Sequence, residues 1–434
     1  MSFYTGIKQL ASFICISLLL IQCNTNSSKD GRMVATAADS CTVSVQAADF
    51  TNSKCDVPIV IDANKNKIVK ATKGGWLEYK INVPTAGRYR VQLFAQTNYT
   101  SKVNCWIEDY ADNTTGRNYN ITGNMLLEKV KDSTTFLMVQ KEGSPLNIGM
   151  HTMRLHYDSG AVAIDKICFT LMKAHKNSPL VLTQKTTGKE WKLAWSDEFN
   201  GKGLPDTSKW VYDFGNWGWG NNELQYYTTG RTENARQENG NLIIEAKKND
   251  NGLPWTSARL TTRGKVSFIY GKIEFRAKLP IGRGSWAAGW LLGDDYVDEK
   301  SWPICGEVDV LEQVGYENDS ISGDGKAHAS VHCGAYYFKK NNQRTAITKV
   351  KNMENEFHSY TIEWLPKGMK IFIDGKEYFD YHDTSNPLTW PFNKPQNIIL
   401  DMAIGGGMGG PKGVNQILTS QKLIFDYVRV YELQ

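Results

Sequence analysis

Gly306-Glu-Val-Asp-Val-Leu-Glu-Gln-Val314 is the stretch on which the reading of this chain turns. Its alternation of β-branched and acidic residues predicts a strand with one apolar and one polar face. In an unbroken strand Glu307 and Asp309 share a face with position 311, which is Leu. The next acid, Glu312, would then point into the apolar interior, where an unpaired carboxylate is very costly. One extra residue, a β-bulge around Val310-Leu311, returns Glu312 to the face of Glu307 and Asp309. Val308 and Val310 or Leu311 then face inward.

Three acids on one face suit a particular chemistry. With the bulge, Glu307 and Glu312 lie four strand steps apart, roughly 13 Å between Cα atoms. Two leaning glutamates can close this toward the ~5–5.5 Å of a retaining glycosidase. In that chemistry Glu307 is the nucleophile and Glu312 the general acid, then base. Asp309, between them, holds a shared proton and keeps their pKa values apart.

The surroundings fit. From Trp191 to the end run many short strands, among them Leu242-Ile-Ile-Glu-Ala246, Tyr360-Thr-Ile-Glu-Trp364 and Ile424-Phe-Asp-Tyr-Val-Arg-Val-Tyr431, divided by Gly-rich turns. These predict a large two-sheet sandwich. Of the 13 Trp, all but Trp76 and Trp106 lie between Trp191 and Trp390. Single Trp residues usually fill cores, but a set concentrated beside an acidic strand suits stacking on the C–H faces of sugars.

The acidic stretch resembles the bulged E-x-D-x-x-E signature of glycoside hydrolase family 16, in its laminarinase-like branch. Trp195-Ser-Asp-Glu-Phe-Asn200, Trp219-Gly-Asn-Asn-Glu-Leu-Gln-Tyr-Tyr-Thr228, Ser257-Ala-Arg-Leu-Thr-Thr262 and Gly282-Arg-Gly-Ser-Trp286 follow that branch in order, as does Trp302-Pro303 ahead of Glu307. The resemblance implies a β-jelly-roll with a groove across one sheet and endo-cleavage of β-1,3-glucan with retention, mixed-linkage glucan being a further substrate. It places sugar contacts at Trp286, Trp290, Trp302 and His332, and donor-side hydroxyl contacts at Asn222 and Arg263. It implies no catalytic cofactor, but a structural calcium at Glu198, Gly240 and Asp426. Two departures stand out: Met408 replaces a stacking Trp, and Asp401 stands where Asn is common. Alternative readings are an algal galactan hydrolase or transglycosylase of the same fold, or a glycan-recognition protein. The last keeps the fold but loses the acids, and this chain keeps them.

Upstream, residues 40–173 carry a second set of alternating strands, such as Trp76-Leu-Glu-Tyr-Lys-Ile-Asn-Val83 and Met153-Arg-Leu-His-Tyr157, and predict a smaller β-sandwich. Val45-Gln-Ala-Ala-Asp-Phe50, Gly75-Trp-Leu-Glu-Tyr79 and Ile164-Asp-Lys-Ile167 resemble a family 6-type carbohydrate-binding module. Ala48 and Ala163 stand where that family places sugar-contacting Glu and Asn. Residues 174–189, polar and holding Pro179 and Gly188, read as a linker, so that 190–434 form the catalytic domain. The whole is thus an all-β chain of two sandwiches.

The remaining signals concern location and partners. Leu10 to Ile21 is too short to span a bilayer at ~1.5 Å per residue and reads as the apolar core of an export signal, residues 1–23. Cys23 resembles the lipidated first residue of a bacterial lipoprotein. This predicts export across the inner membrane to the outer membrane or cell surface, or, without lipid, to the periplasm or medium. The expected partner is a polysaccharide bound by a monomer, with a lipid anchor as the membrane contact. A net charge of +5, without Lys/Arg runs, argues against nucleic acid. Eight Cys, with no C-x-x-C or Cys/His ligand spacing, argue against zinc. An oxidising compartment permits pairs such as Cys41–Cys55 or Cys305–Cys333, and spacing alone selects neither.

Overall fold

The computed structural model describes residues 41–434 apart from 55, 99–101, 112–118, 131–134 and 159–161. The stretch read as an export signal, with Cys23, and Cys55 lie outside the described residues. No helix among the described residues is long and apolar enough to cross a membrane.

The alternating patterns become two β-sandwiches, each closed over its own core. In the smaller, one sheet runs Ile59–Ile61, Lys67–Ala71, Val162–Ala174, Gly87–Thr97 and Leu137–Leu146, with Val43–Gln46 also on Val162–Ala174. The facing sheet runs Asn52–Ser53, Gly75–Val83, Gly149–Tyr157, Val103–Tyr110 and Met125–Leu127. Leu77, Tyr79 and Ile81 alternate inward from one sheet and meet Val91 and Leu93 of the other, all at most 2% exposed. Burying such side chains contributes about 1.5–3 kcal/mol each. Cys41 is bonded to Cys168, which ties the first strand to its partner. The pairings permitted by the sequence therefore do not form: Cys41 is taken, and Cys305 and Cys333 are buried free thiols.

The larger sandwich is the jelly-roll. One sheet, of nine strands, runs centrally through Gln396–Ile404, Ser285–Gly293, Glu307–Val314, Gly325–His332 and Arg344–Val350. A ten-stranded sheet behind it includes Asn241–Asp250, Ser420–Leu433, Gly271–Lys278 and His358–Leu365. Between them lie Phe275, Ile362 and Met402 with Val308, Val310 and Leu311 of the acidic strand, all at most 1% exposed.

The connector corrects the sequence reading. Residues 174–189 are not a free tether, because Leu180–Thr183 pairs in parallel with Val266–Ile269 and becomes the edge strand of the nine-stranded sheet. Ser178 donates its N–H and hydroxyl to Asp294 at 2.9 Å each. Composition reads as a linker, but Leu-Val-Leu-Thr at 180–183 supplies the short apolar run an edge strand needs.

Candidate active site

The bulge sits where the burial argument requires it. Against Ser285–Gly293, Leu311 pairs with Gly289 and Asp309 with Trp290, leaving Val310 as the extra residue. On the other side Asp309 pairs with Ser330 and Glu312 with His328, with the same shift between. Glycine faces the bulge for a steric reason: a Cβ on Gly289 would sit 3.2 Å from the Phe275 ring.

Cross-strand rows then line the cleft floor. Arg259, Asp401, Ala288, Glu312, His328 and Ile347 are successive partners across six strands. The next row holds Trp290, Asp309, Ser330 and Thr345, and the next Leu292, Glu307 and His332. All line one cleft of about 540 Å³, with Trp286, Trp302, Phe338 and Met408 on its walls and Trp217, Trp219, Asn221 and Glu223 at the Arg259 end.

Indole N–H groups hold the carboxylates. Trp302 Nε1 donates to Glu307 at 2.8 Å, Trp286 Nε1 to Glu312 at 2.9 Å, and Trp290 Nε1 to Asp401 at 2.7 Å. Three Trp are thus fixed by the acids, presenting rings to the cleft while their polar tips are satisfied. His332 Nε2 lies 3.4 Å from Asp309 and 3.8 Å from Glu307. Its Nδ1 is buried without a partner among the described residues.

Burial, followed by mutual repulsion, pushes the acids up. Glu307 rises to about 8 through burial and then the charge of Asp309; Asp309 rises to about 8 through burial and then Asp401. Glu312 rises to about 7 through burial and then Asp309, opposed by His328 and the Trp286 N–H. At neutral pH the cluster therefore retains protons and titrates as a unit. A second buried acid pair lies at the Arg259 end: burial and Asp401 push Glu223 to about 8, although Gln225 donates to it at 2.6 Å. Tyr227 donates to Asp401 at 2.6 Å.

Two residues singled out by sequence fall outside this lining, and each has a neighbour inside it. The turn at 218–223 gives the cleft Asn221 and Glu223, while Asn222, at φ +58°, sits in the turn itself. Arg263 is buried behind the wall, donating to the Tyr296 carbonyl at 2.9 Å with its guanidinium 5.3 Å from that ring. Arg259, which the sequence reading passed over, lies 4.8 Å from the Trp219 ring and 4.7 Å from Trp290. Its position directly opposite Asp401 was the available signal. Glu307, Asp309, Glu312, Trp286, Trp290, Trp302 and His332 all come together in the cleft.

At the expected calcium positions both carboxylates are engaged by arginines. Arg429 binds Glu198 through two nitrogens at 3.0 and 2.8 Å, and Arg276 binds Asp426. A divalent ion would have to compete with both guanidiniums, and Gly240 offers only its backbone oxygen. Among the described residues, the group whose ligand atoms converge is Glu307, Asp309 and His332, within 4.8 Å. Those residues belong to the cleft itself.

Residues 222–420 match the family model for glycosyl hydrolases family 16. A beta-glucanase of Rhodothermus marinus is 44% identical over 249 residues, covering 56% of this chain and 85% of that protein. The crystal structure of the laminarinase from Rhodothermus marinus superposes with a TM-score of 0.52 at 43% identity, over 56% of this chain and 98% of that one. A non-specific endo-β-1,3(4)-glucanase of family 16, crystallised with a β-glucan oligosaccharide, gives a TM-score of 0.53 at 38% identity, over 60% of this chain and all of that one.

Proposed function

Because the chain belongs to glycosyl hydrolase family 16, we propose that it is a retaining endo-β-1,3-glucanase acting on laminarin-type glucan, with mixed-linkage β-glucan as a second substrate. The observation that carries this reading is the bulge at Val310, which sets Glu307, Asp309 and Glu312 on one face of a Trp-walled cleft.

In the first step a Glu307 oxygen bonds to the anomeric carbon while the glycosidic C–O bond breaks and Glu312 gives its proton to the departing oxygen. In the second, Glu312 takes a proton from water, the water oxygen attacks the anomeric carbon, and the bond to Glu307 breaks. Starting this cycle needs Glu307 charged and Glu312 protonated. Burial raises both carboxyls, so each can hold a proton near neutral pH. Bound sugar sorts them. The oxocarbenium-like charge beside Glu307 favours its anion, and the glycosidic oxygen accepts a hydrogen bond from protonated Glu312. Asp309, repelled by Asp401 and without an indole N–H, keeps the remaining proton.

The test is reducing-sugar release by the purified chain from laminarin, lichenan, agarose and carrageenan. Release from laminarin above all, with the β-anomer formed first, is expected. Glu307→Ala should reduce it by about 10³-fold or more. Equal and negligible release by both proteins would favour a glycan-recognition role. Release from agarose or carrageenan alone would move the substrate to a galactan.

A further inference from the structure

The cleft wall at the Arg259 end is built on the loop 213–227, which carries Trp217, Trp219, Asn221 and Glu223. That loop rests on the N-terminal sandwich. A Cβ on Gly143 would meet the Phe214 carbonyl at 2.2 Å, and one on Gly215 would meet the Glu142 carbonyl at 2.0 Å. Both positions have positive φ, so glycine is needed twice over where the two backbones touch. Asn216 and Glu142 exchange backbone and side-chain hydrogen bonds at 3.0 Å, and Tyr226 donates to the Glu142 carboxylate. Lys300 crosses the same boundary to buried Asp109 at 2.6 Å.

Arg88 reaches furthest. It belongs to the N-terminal strand Gly87–Thr97, is 9% exposed, and places its guanidinium 5.6 Å from the Trp219 ring and 5.7 Å from the Tyr296 ring. Both rings line the cleft. It lies 3.9 Å from Asp213, the carboxylate that also takes Arg259 at 3.3 Å. One buried acid thus links an N-terminal arginine to an arginine of the cleft floor.

We infer that the N-terminal sandwich is a structural part of the sugar-binding cleft, with Arg88 as a positioning residue that holds Trp219 and Tyr296 from behind. Arg88 touches no substrate. It acts through two rings and Asp213, so its loss loosens a binding wall and leaves the acids on Glu307–Val314 in place. The effect on β-glucan rests on the function proposed above; the effect on the wall does not.

The experiment uses the full chain with Arg88→Ala, Arg88→Lys and Tyr226→Phe. For laminarin, Arg88→Ala should raise KM about tenfold with kcat within about twofold of the parent. A merely destabilised protein would instead lose kcat in proportion to its inactive fraction. Arg88→Lys, which keeps a cation beside Asp213, should recover part of the loss. Tyr226→Phe, which removes the bond to Glu142 and leaves both cores intact, should move KM in the same direction. Amide exchange across 213–227 should quicken about tenfold in Arg88→Ala. Unchanged KM together with unchanged exchange in both Arg88→Ala and Tyr226→Phe overturns the inference. If the parent does not cleave laminarin, the functional reading fails, and exchange alone still decides the role of Arg88.

Discussion

Trp302 and Trp286 give their indole N–H groups to Glu307 and Glu312, whereas Asp309 faces the His332 imidazole at 3.4 Å. The three closely placed acids thus differ in the groups that face them. That difference makes Asp309 costly to keep. Its pKa is raised to about 8, so its contribution to stability is fully present below the ordinary carboxylate range and is lost as pH rises toward 8. Asp309→Asn should therefore stabilise the protein against unfolding at pH 8 more than at pH 4.5, by about 1–2 kcal/mol at the higher pH. It should also lower kcat about 10²-fold or more. Equal melting shifts at the two pH values would count against a buried shared proton. Glu312, pushed to about 7, should set an alkaline limb near there in kcat/KM, which Glu312→Gln abolishes together with most activity.

At the scale of the element, the register shift is the feature to test. Deleting Val310 alone leaves Glu-Val-Asp-Leu-Glu, a plain alternation that keeps the three acids on one face, so glucan cleavage should persist. Deleting Val310 and Leu311 together turns Glu312 toward the core and should leave cleavage at background, with destabilisation of about 3–5 kcal/mol. Gly289→Ala is milder. Its methyl would press on Phe275 at 3.2 Å, costing about 1–3 kcal/mol by denaturant unfolding.

The strand was legible from sequence because burying a carboxylate is so unfavourable that Leu311 and Glu312 cannot share an unbroken alternation. Asn222 and Arg263 carried no such penalty. Either neighbour in the turn, or either arginine four residues apart, satisfies the local pattern, and only pairing opposite Asp401 picks out Arg259. The connector misled for a different reason. Its polar composition is shared by loops and by edge strands, and the pairing of Leu180–Thr183 is to residues over 80 positions away. Cys41–Cys168 was likewise hidden, since a separation of 127 residues leaves no local trace.

At the scale of the molecule, the two cores are chemically separate yet mechanically joined. The Cys41–Cys168 bond closes a loop of 127 residues around almost the whole smaller sandwich. The loop-entropy argument gives about 4–5 kcal/mol for such a closure. Cys41→Ser/Cys168→Ser should lower the thermal stability of that sandwich by an amount of this order. Because loop 213–227 leans on it, the cleft should lose affinity at a temperature below that at which the jelly-roll core melts. Calorimetry set beside laminarin KM at rising temperature would reveal the gap, and coincident losses in parent and variant would argue against it.

The edge strand Leu180–Thr183 bears on how the enzyme meets an insoluble polymer. A module on a flexible leash samples many footholds, and its avidity depends on leash length. Here part of the leash is woven into the sheet, and only residues 175–179 separate Val162–Ala174 of the smaller sandwich from that edge strand. A glucan fibre would be met with short reach, and lengthening the stretch between the modules would cost a strand before it added any range.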